Sequence, residues 1–239
     1  MENIFTKSSK TQESRLFKLP AELRVQIFKD ALTYPEGISW YWESWDSRPR
    51  VGSFRRSVDH GHANPLSLTC RQLYQETNML HLELNTLDFD GDNVDIPMAP
   101  DDTDTEWNEW AISLVCYNHF LACSKSWMLE RIPAVNLHVL IFDIDLDFEL
   151  TQLRFPNMGA TLKIICGNFL LWRVSESPSC FLSTGRRIQD KLWLMESNQS
   201  RKWRLFPYTP DKEMAIQEIR MYIPPQHVAM AIGWVENGL

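Results

Sequence analysis

The order strand, helix, strand between Asn85 and Leu150 constrains the fold of this chain most. The first strand is predicted in "NTLDFD", where Leu87 and Phe89 alternate with polar residues, and a long helix follows from Thr105. The second strand, in "LHVLIFDIDLDFEL", begins apolar on both faces and then alternates strictly. Two strands joined through a helix are parallel if they share a sheet. The expected fold is therefore α+β, with helices packed on a mixed, partly parallel sheet.

An apolar helix start stands out near the beginning of the chain. The stretch "LFKLPAELRVQIFKDAL" predicts a helix of about three turns from Pro20, but Leu19 and Pro20 occupy the place of a polar N-cap. A polar cap is worth about 1 kcal/mol, whereas full burial of a leucine contributes about 1.5 to 3 kcal/mol. We therefore expect Leu19 to be covered, either by its own domain or by another protein. The predicted apolar face consists of Leu23, Ile27, Phe28, Ala31 and Leu32.

A hairpin and a second helix are predicted between this helix and "NTLDFD". The stretch "ISWYWESWDSRPRVGSF" is rich in aromatic residues and broken by Pro49 and Gly52, which indicates two short strands and a turn. Asn64 is expected to cap one continuous helix that starts at Pro65 and runs to the next strand. Its apolar stripe would consist of Leu66, Cys70, Leu73, Thr77, Leu80 and Leu84.

The last third of the chain offers three short strand candidates, "LKIIC", "KLWLM" and "KWRLFPY". The segment "DKEMAIQEIRMYI" fits a helix and also alternates like a strand near its end. The stretch "SRKWRLFPY" interleaves cations with aromatic rings, as a stacking surface for single-stranded nucleic acid does. It also fits a strand with one basic face, and such a face can receive an acidic protein partner.

Composition bounds the class of protein. The chain has 239 residues, of which 44% are hydrophobic and 23% charged, as in a globular protein of one large domain. The net charge of −7 argues against a dominant nucleic-acid role. Five cysteines without a C-x-x-C pair predict reduced thiols, and the polar N-terminus lacks a secretory signal. No apolar run is long enough to span a membrane. We expect a cytoplasmic or nuclear location and three regions: a disordered lead at 1–14, a region at 15–90, and an α/β continuation at 91–239 that forms one compact unit with it.

No motif for catalysis emerges from the sequence. With nine glycines, the chain lacks the glycine-rich loops of nucleotide-binding enzymes and the G-x-S-x-G elbow of hydrolases. We therefore expect no enzymatic activity and no cofactor. Cys116, His119 and Cys123 could present three metal ligands on one helical face, although a cysteine on an apolar helix is more often simply buried. A metal-binding protein or enzyme using these three residues stays open as an alternative.

Three stretches of the first ninety residues resemble one family. "LPAELRVQIFKDAL" is similar to the L-P-x-E-L/I-R-x-x-I-[FWY]-x-x-A-L signature of fungal F-box-like proteins, including the EXR-type domain. "PLSLTCRQLYQETNML" is similar to the P-L-L-x-T-C-R-Q-I-Y-x-E-A helix of the same proteins, and "LNTLDFD" to their N-T-F-x-F strand. The three occur in the same order as in that family.

This resemblance implies a protein-interaction module. In F-box proteins the Leu-Pro pair and the apolar helix face dock on the Skp-type adaptor of a cullin ubiquitin ligase, while the rest of the chain recruits a target. Here the residues after Thr33 predict an extended stretch where an F-box would continue as a three-helix unit. A self-contained scaffold domain without adaptor binding is therefore the alternative. The adaptor contacts implied by the resemblance are Leu19, Pro20, Leu23, Ile27 and Leu32.

Overall fold

The described residues divide into strands and helices that alternate along much of the chain. A computed structural model describes residues 14–42, 52–90, 105–139, 161–170, 174–175, 177–195, 203–209 and 211–239. The strands are β1 Ile38–Trp42, β2 Gly52–Arg56, β3 Thr86–Phe89, β4 Ala134–Val139, β5 Thr161–Leu170 and β6 Trp203–Tyr208. The α-helices are α1 Ala21–Leu32, α2 Arg71–Thr77, α3 Leu80–Leu84, α4 Thr105–Cys123, α5 Ser126–Leu129, α6 Pro178–Met195, α7 Lys212–Tyr222 and α8 Pro225–Asn237, with 3₁₀-helices at Arg15–Lys18 and Pro65–Leu68.

The described strands form a single sheet in the order β2-β1-β3-β4-β5-β6. β1 and β2 pair antiparallel, as the predicted hairpin requires, and the other neighbouring pairs are parallel. The predicted α+β fold, with helices on a mixed and mostly parallel sheet, is therefore confirmed. The predicted crossover is confirmed too, since β3 leads through α4 to β4 and Leu87 is in register with Val135. The alternating half of the second predicted strand, 140–150, lies outside the described residues, as does the predicted disordered lead except for Ser14.

Two of the three late strand candidates are confirmed, as "LKIIC" lies in β5 and "KWRLFPY" in β6. The third, "KLWLM", is wrong because it lies in α6. A window of five residues could not reveal the helical period, which becomes visible only when Phe181, Ile188 and Leu192 are seen to be buried together. "DKEMAIQEIRMYI" forms α7, where the Asp211 carboxylate caps the helix by accepting hydrogen bonds from two backbone N–H groups.

One face of the sheet carries the hydrophobic core. The alternating side chains on that face are fully buried, and the Phe89 ring contacts the rings of Tyr117 and Phe120 on α4 at centroid distances of 5.4 and 5.5 Å. The same buried cluster extends from Ile38 to Val235 and so joins the region 15–90 to the region 91–239. None of the described helices has the length and apolarity needed to cross a membrane.

The predicted continuous helix from Pro65 to Leu84 is wrong, because the chain forms a 3₁₀-helix, α2 and α3 there. Asn64 caps as predicted, its Oδ1 accepting a hydrogen bond from the Ser67 backbone N–H at 3.1 Å. Its Nδ2 also donates to the Thr77 carbonyl at 2.7 Å. A continuous helix would need that carbonyl as an acceptor for one of its own backbone N–H groups. Cys70, between the 3₁₀-helix and α2, has an extended backbone.

Asn85 ties the end of α1 to the end of α3. Its side-chain Nδ2 donates to the carbonyls of Leu32 and His81, each at 2.7 Å, and its Oδ1 accepts from the Tyr34 backbone N–H at 2.6 Å. The side chain therefore supplies partners for backbone groups left open at two helix ends. Asn85 therefore holds the C-terminal end of α1 in place.

Asn85→Leu should lower the free energy of unfolding by about 3 kcal/mol, since one buried and two partly buried hydrogen bonds to backbone groups are lost at about 1 kcal/mol each. Urea denaturation measures this loss. Asn78→Ala, at an exposed position that uses only its backbone to end α2, is the matched control and should change stability by less than about 0.5 kcal/mol. Equal stability of the two variants would contradict the structural role of Asn85.

His81 on α3 is an imidazole held in its neutral form. Its Nδ1 is buried without a hydrogen-bond partner in the described part of the chain. Burial, with a smaller contribution from nearby His62, lowers the pKa of His81 to about 4. The folded protein therefore excludes a proton that the unfolded chain binds below pH 6.5, the ordinary pKa of the group.

Stability should fall as the pH is lowered from about 6.5 toward 4, because only the unfolded chain is protonated at His81 in that interval. The full loss is at most about 3 kcal/mol, at 1.36 kcal/mol for each pKa unit. His81→Leu should flatten this acid limb of the stability profile, and Asn78→Ala, which removes no titratable group, should leave its shape unchanged. Urea denaturation between about pH 4 and about pH 7 gives the profiles, and parallel curves for wild type and His81→Leu would refute the assignment.

Candidate functional site

The exposed side of α1 carries an apolar stripe. Leu23 and Ile27 are 53% and 43% exposed, and Ala31 is exposed one turn further on. Residues four apart lie on the same side of a helix, so the three form one row, here named the α1 stripe. Phe28 and Leu32, with 1% and 0% exposure, point into the core beside it. The predicted single apolar face is therefore two adjacent rows, of which only one is covered by this domain.

The five residues implied as adaptor contacts divide accordingly. Leu23 and Ile27 lie in the α1 stripe, and Pro20 is exposed just before it. Leu19 is half-buried, so its own domain covers it in part, as its place at the helix start led us to expect. Leu32 is fully buried, which removes it from any surface that a partner could reach. The structure thus brings four of the five residues to one end and one side of α1.

Arg24 anchors the backbone at the start of α1, where the N-cap residue makes no side-chain hydrogen bond. Pro20 occupies the N-cap position without a side-chain hydrogen bond. The Arg24 Nη1 reaches back and donates to the Leu19 carbonyl at 2.7 Å, which fixes the backbone of the Leu-Pro pair against the first turn of the helix. Because this guanidinium donates to a carbonyl, it fixes the backbone before α1 but does not supply the acceptor that a polar N-cap offers to the first N–H groups of the helix.

The same guanidinium joins α1 to α2. Arg24 Nε donates to Glu76 Oε2 at 3.0 Å and Arg24 Nη2 to Glu76 Oε1 at 2.9 Å, a paired geometry that sets orientation as well as distance. Gln72 Nε2 donates to the same carboxylate at 3.0 Å. The hydrogen bond from Arg24 is the main cause that lowers the pKa of Glu76, and the same bond raises the pKa of Arg24. Both groups therefore stay charged and paired near neutral pH.

The sequence pattern did not predict this pair, because helical spacing shows Arg24 only as a polar residue off the apolar face. A signal was available, because Arg24 and Glu76 are both fixed polar positions of the signatures that the first two stretches resemble. Asn85, in the third stretch, was missed for the same reason. The polar residues at these three motif positions hold α1, α2 and α3 together.

The three candidate metal ligands on α4 do not converge. Cys116 is buried in the core, His119 is half-buried and Cys123 is exposed. The Cys123 Sγ lies 3.7 Å from His119 Nε2, a contact between two of the three. In the ranges that the structure describes, no group of three His, Cys, Asp or Glu side chains has a metal-binding arrangement. The α1 stripe, in contrast to a metal site, offers a ligand apolar contacts.

Comparison of the chain with models of protein families, with curated proteins and with solved structures found no match.

Proposed function

We propose that this chain is a non-enzymatic, intracellular protein-interaction module of the F-box-like type. Its α1 stripe, with Leu19 and Pro20, docks on a Skp-type adaptor, and the protein acts as a substrate receptor of a cullin ubiquitin ligase in the cytoplasm or nucleus. The observation that supports this is the exposure of Leu23 and Ile27, at positions where the resembled signature has apolar residues.

The exposed apolar area favours a covered state. Full burial of a leucine or isoleucine contributes about 1.5 to 3 kcal/mol, and about half of each side chain in the stripe is still exposed. Covering Leu23 and Ile27 therefore contributes about 1 kcal/mol or more for each side chain. Two side chains alone do not make a stable interface, which needs about 800 Å² from each partner. The half-buried Leu16 and Phe17 of the preceding 3₁₀-helix extend the apolar surface toward the start of the chain.

The rigid base of this surface supports the same function. The contacts of Arg24 with Glu76 and with the Leu19 carbonyl hold the Leu-Pro pair, and Asn85 holds the opposite end of α1. A surface that is already ordered loses little conformational entropy when a partner binds. An adaptor would therefore meet a preformed ridge and not a segment that folds on binding.

The second candidate is a scaffold domain without adaptor binding. The full burial of Phe28 and Leu32 favours it, because these side chains make α1 an integral part of the core. The two candidates differ in what they require of the outer row of α1. A scaffold leaves Leu23 and Ile27 in water, whereas a receptor covers them.

Replacing Leu23 and Ile27 together by serine should weaken binding to a purified Skp-type adaptor at least about tenfold, since about 1.4 kcal/mol corresponds to each factor of ten. Isothermal titration calorimetry measures the affinity, and thermal unfolding confirms that the variant is folded. Val25→Ser is the matched control, because Val25 is 37% exposed on the other flank of α1, and its affinity should stay within about twofold of wild type.

Failure of the wild-type chain to bind any Skp-type adaptor would exclude the receptor function and leave the scaffold. Equal affinities of the double variant and Val25→Ser would place adaptor binding elsewhere on the chain. A large drop in melting temperature for the double variant would show instead that the α1 stripe belongs to the core.

A further inference from the structure

One transverse row of side chains on the second face of the sheet is polar from β2 to β6. Each side chain there alternates with a buried one, as Lys163 does between Leu162 and Ile164. Strand register places one residue from each strand in a transverse row, and no member of this row belongs to the hydrophobic core. The row, which defines what we call the polar face, runs Arg55, Ser39, Asp88, Asn136, Lys163 and Arg204.

Chain topology explains why the described crossover helices lie on the other face of the sheet. β1, β3, β4, β5 and β6 are parallel neighbours that stand in chain order. Crossovers between parallel strands are nearly always right-handed, so steps that all go in one direction place their helices on one face of the sheet. The buried cluster contains residues of the crossover helices α4 and α6 together with the apolar strand face, as this rule requires, and α7 and α8 after the last strand pack into the same cluster. Within the described ranges, Arg204 is exposed and Lys163 partly exposed in this row.

Positive charge gathers at the β5 and β6 end of the polar face. Lys163 and Arg204 are neighbours in the transverse row, and Lys212 begins α7 shortly after β6. In the described part of the chain, none of these three cations forms an ion pair. Burial and, next, the charge of Lys212 lower the pKa of Lys163, while Asp88 acts in the opposite direction. Asp88 itself lies 3.2 Å from the Nε2 of His138.

An aromatic ring lies within this cluster of cations. The Lys163 ammonium is 4.7 Å from the centroid of the Phe206 ring, and Phe206 follows Arg204 by two residues on the same face of β6. The ring gives the half-buried ammonium group a favourable contact that does not neutralise its charge. The result is a cationic site with an apolar base, on a chain whose total charge is −7.

The outer edge of β6 is already occupied. Leu239 donates its N–H to the Leu205 carbonyl at 2.7 Å and accepts from the Leu205 N–H at 3.3 Å. A partner therefore cannot add a strand beside Leu205 without displacing the last residue of the chain. A ligand must lie across the polar face and use side-chain contacts.

We propose that the β5 and β6 end of the polar face binds an extended acidic segment of a protein partner, with its carboxylates on Lys163, Arg204 and Lys212 and its backbone or apolar groups on the Phe206 ring. Complementary charge on a surface of opposite net sign gives selectivity and faster association. Three cations with Asp88 beside them fit spaced carboxylates better than a continuous phosphate backbone, which needs many cations in a row. This inference concerns a second surface and does not depend on the α1 stripe.

The test uses the full chain and a fluorescein-labelled peptide in which glutamate alternates with alanine. Fluorescence anisotropy should show binding that weakens as salt is raised, and the matched peptide with glutamine should bind much more weakly. Lys163→Gln with Arg204→Gln should lower the affinity about tenfold, because each lost charge contact contributes up to about 1 kcal/mol. Lys29→Gln with Arg71→Gln removes the same charge from exposed positions on α1 and α2 and is the control.

Equal binding of the glutamate and glutamine peptides, or equal affinity of the two double variants, would overturn the proposal. Tighter binding of a labelled single-stranded oligonucleotide that the glutamate peptide cannot displace would overturn it in favour of nucleic acid. Arg204→Gln alone, at an exposed position, keeps the test valid if the double variant fails to fold, and it should weaken the peptide about threefold. Leu23→Ser with Ile27→Ser should bind the peptide like wild type, which separates this surface from the α1 stripe.

Discussion

The right-handed crossover between parallel strands is the constraint on which the rest of this structure depends. Because five parallel strands stand in chain order, their helices collect on one face and bury one row of side chains from every strand. The other face carries a polar row, where Arg55, Lys163 and Arg204 lie in register with Asp88 between them. The burial of one face is thus a property of topology, and the charged groups of this row stay out of the core.

α1 precedes the first strand and is held by polar contacts at both ends. The Arg24 guanidinium binds Glu76 and the Leu19 carbonyl at its start, and Asn85 binds the Leu32 carbonyl at its end. These contacts fix the rotation of the helix about its own axis. That rotation turns one apolar row inward and the next outward. An exposed apolar row on a firmly held helix is what a docking partner can use at low entropic cost.

Sequence patterns predicted the elements well wherever one local period decided the outcome. The alternation around Leu87 and the long helix after it were enough for the parallel crossover. The break at Thr77 was not predictable, because it depends on an amide thirteen residues earlier in the chain. Helical spacing predicted one apolar face that contains both Ile27 and Leu32. Spacing tells which residues share a side of the helix, but not which part of that side is turned toward the core. Which residue is exposed was decided by tertiary contacts such as that of Arg24 with Glu76.

Methyl NMR of the full chain, titrated with a Skp-type adaptor, tests the central claim that the α1 stripe is a docking surface. Leu23 and Ile27 have methyl groups on the exposed row, and Leu32, with no exposed area, is an internal reference on the same helix. We expect the Leu23 and Ile27 methyl signals to shift or broaden as adaptor is added, while the Leu32 signals change little. Unchanged signals from Leu23 and Ile27 in the presence of a bound adaptor would contradict it.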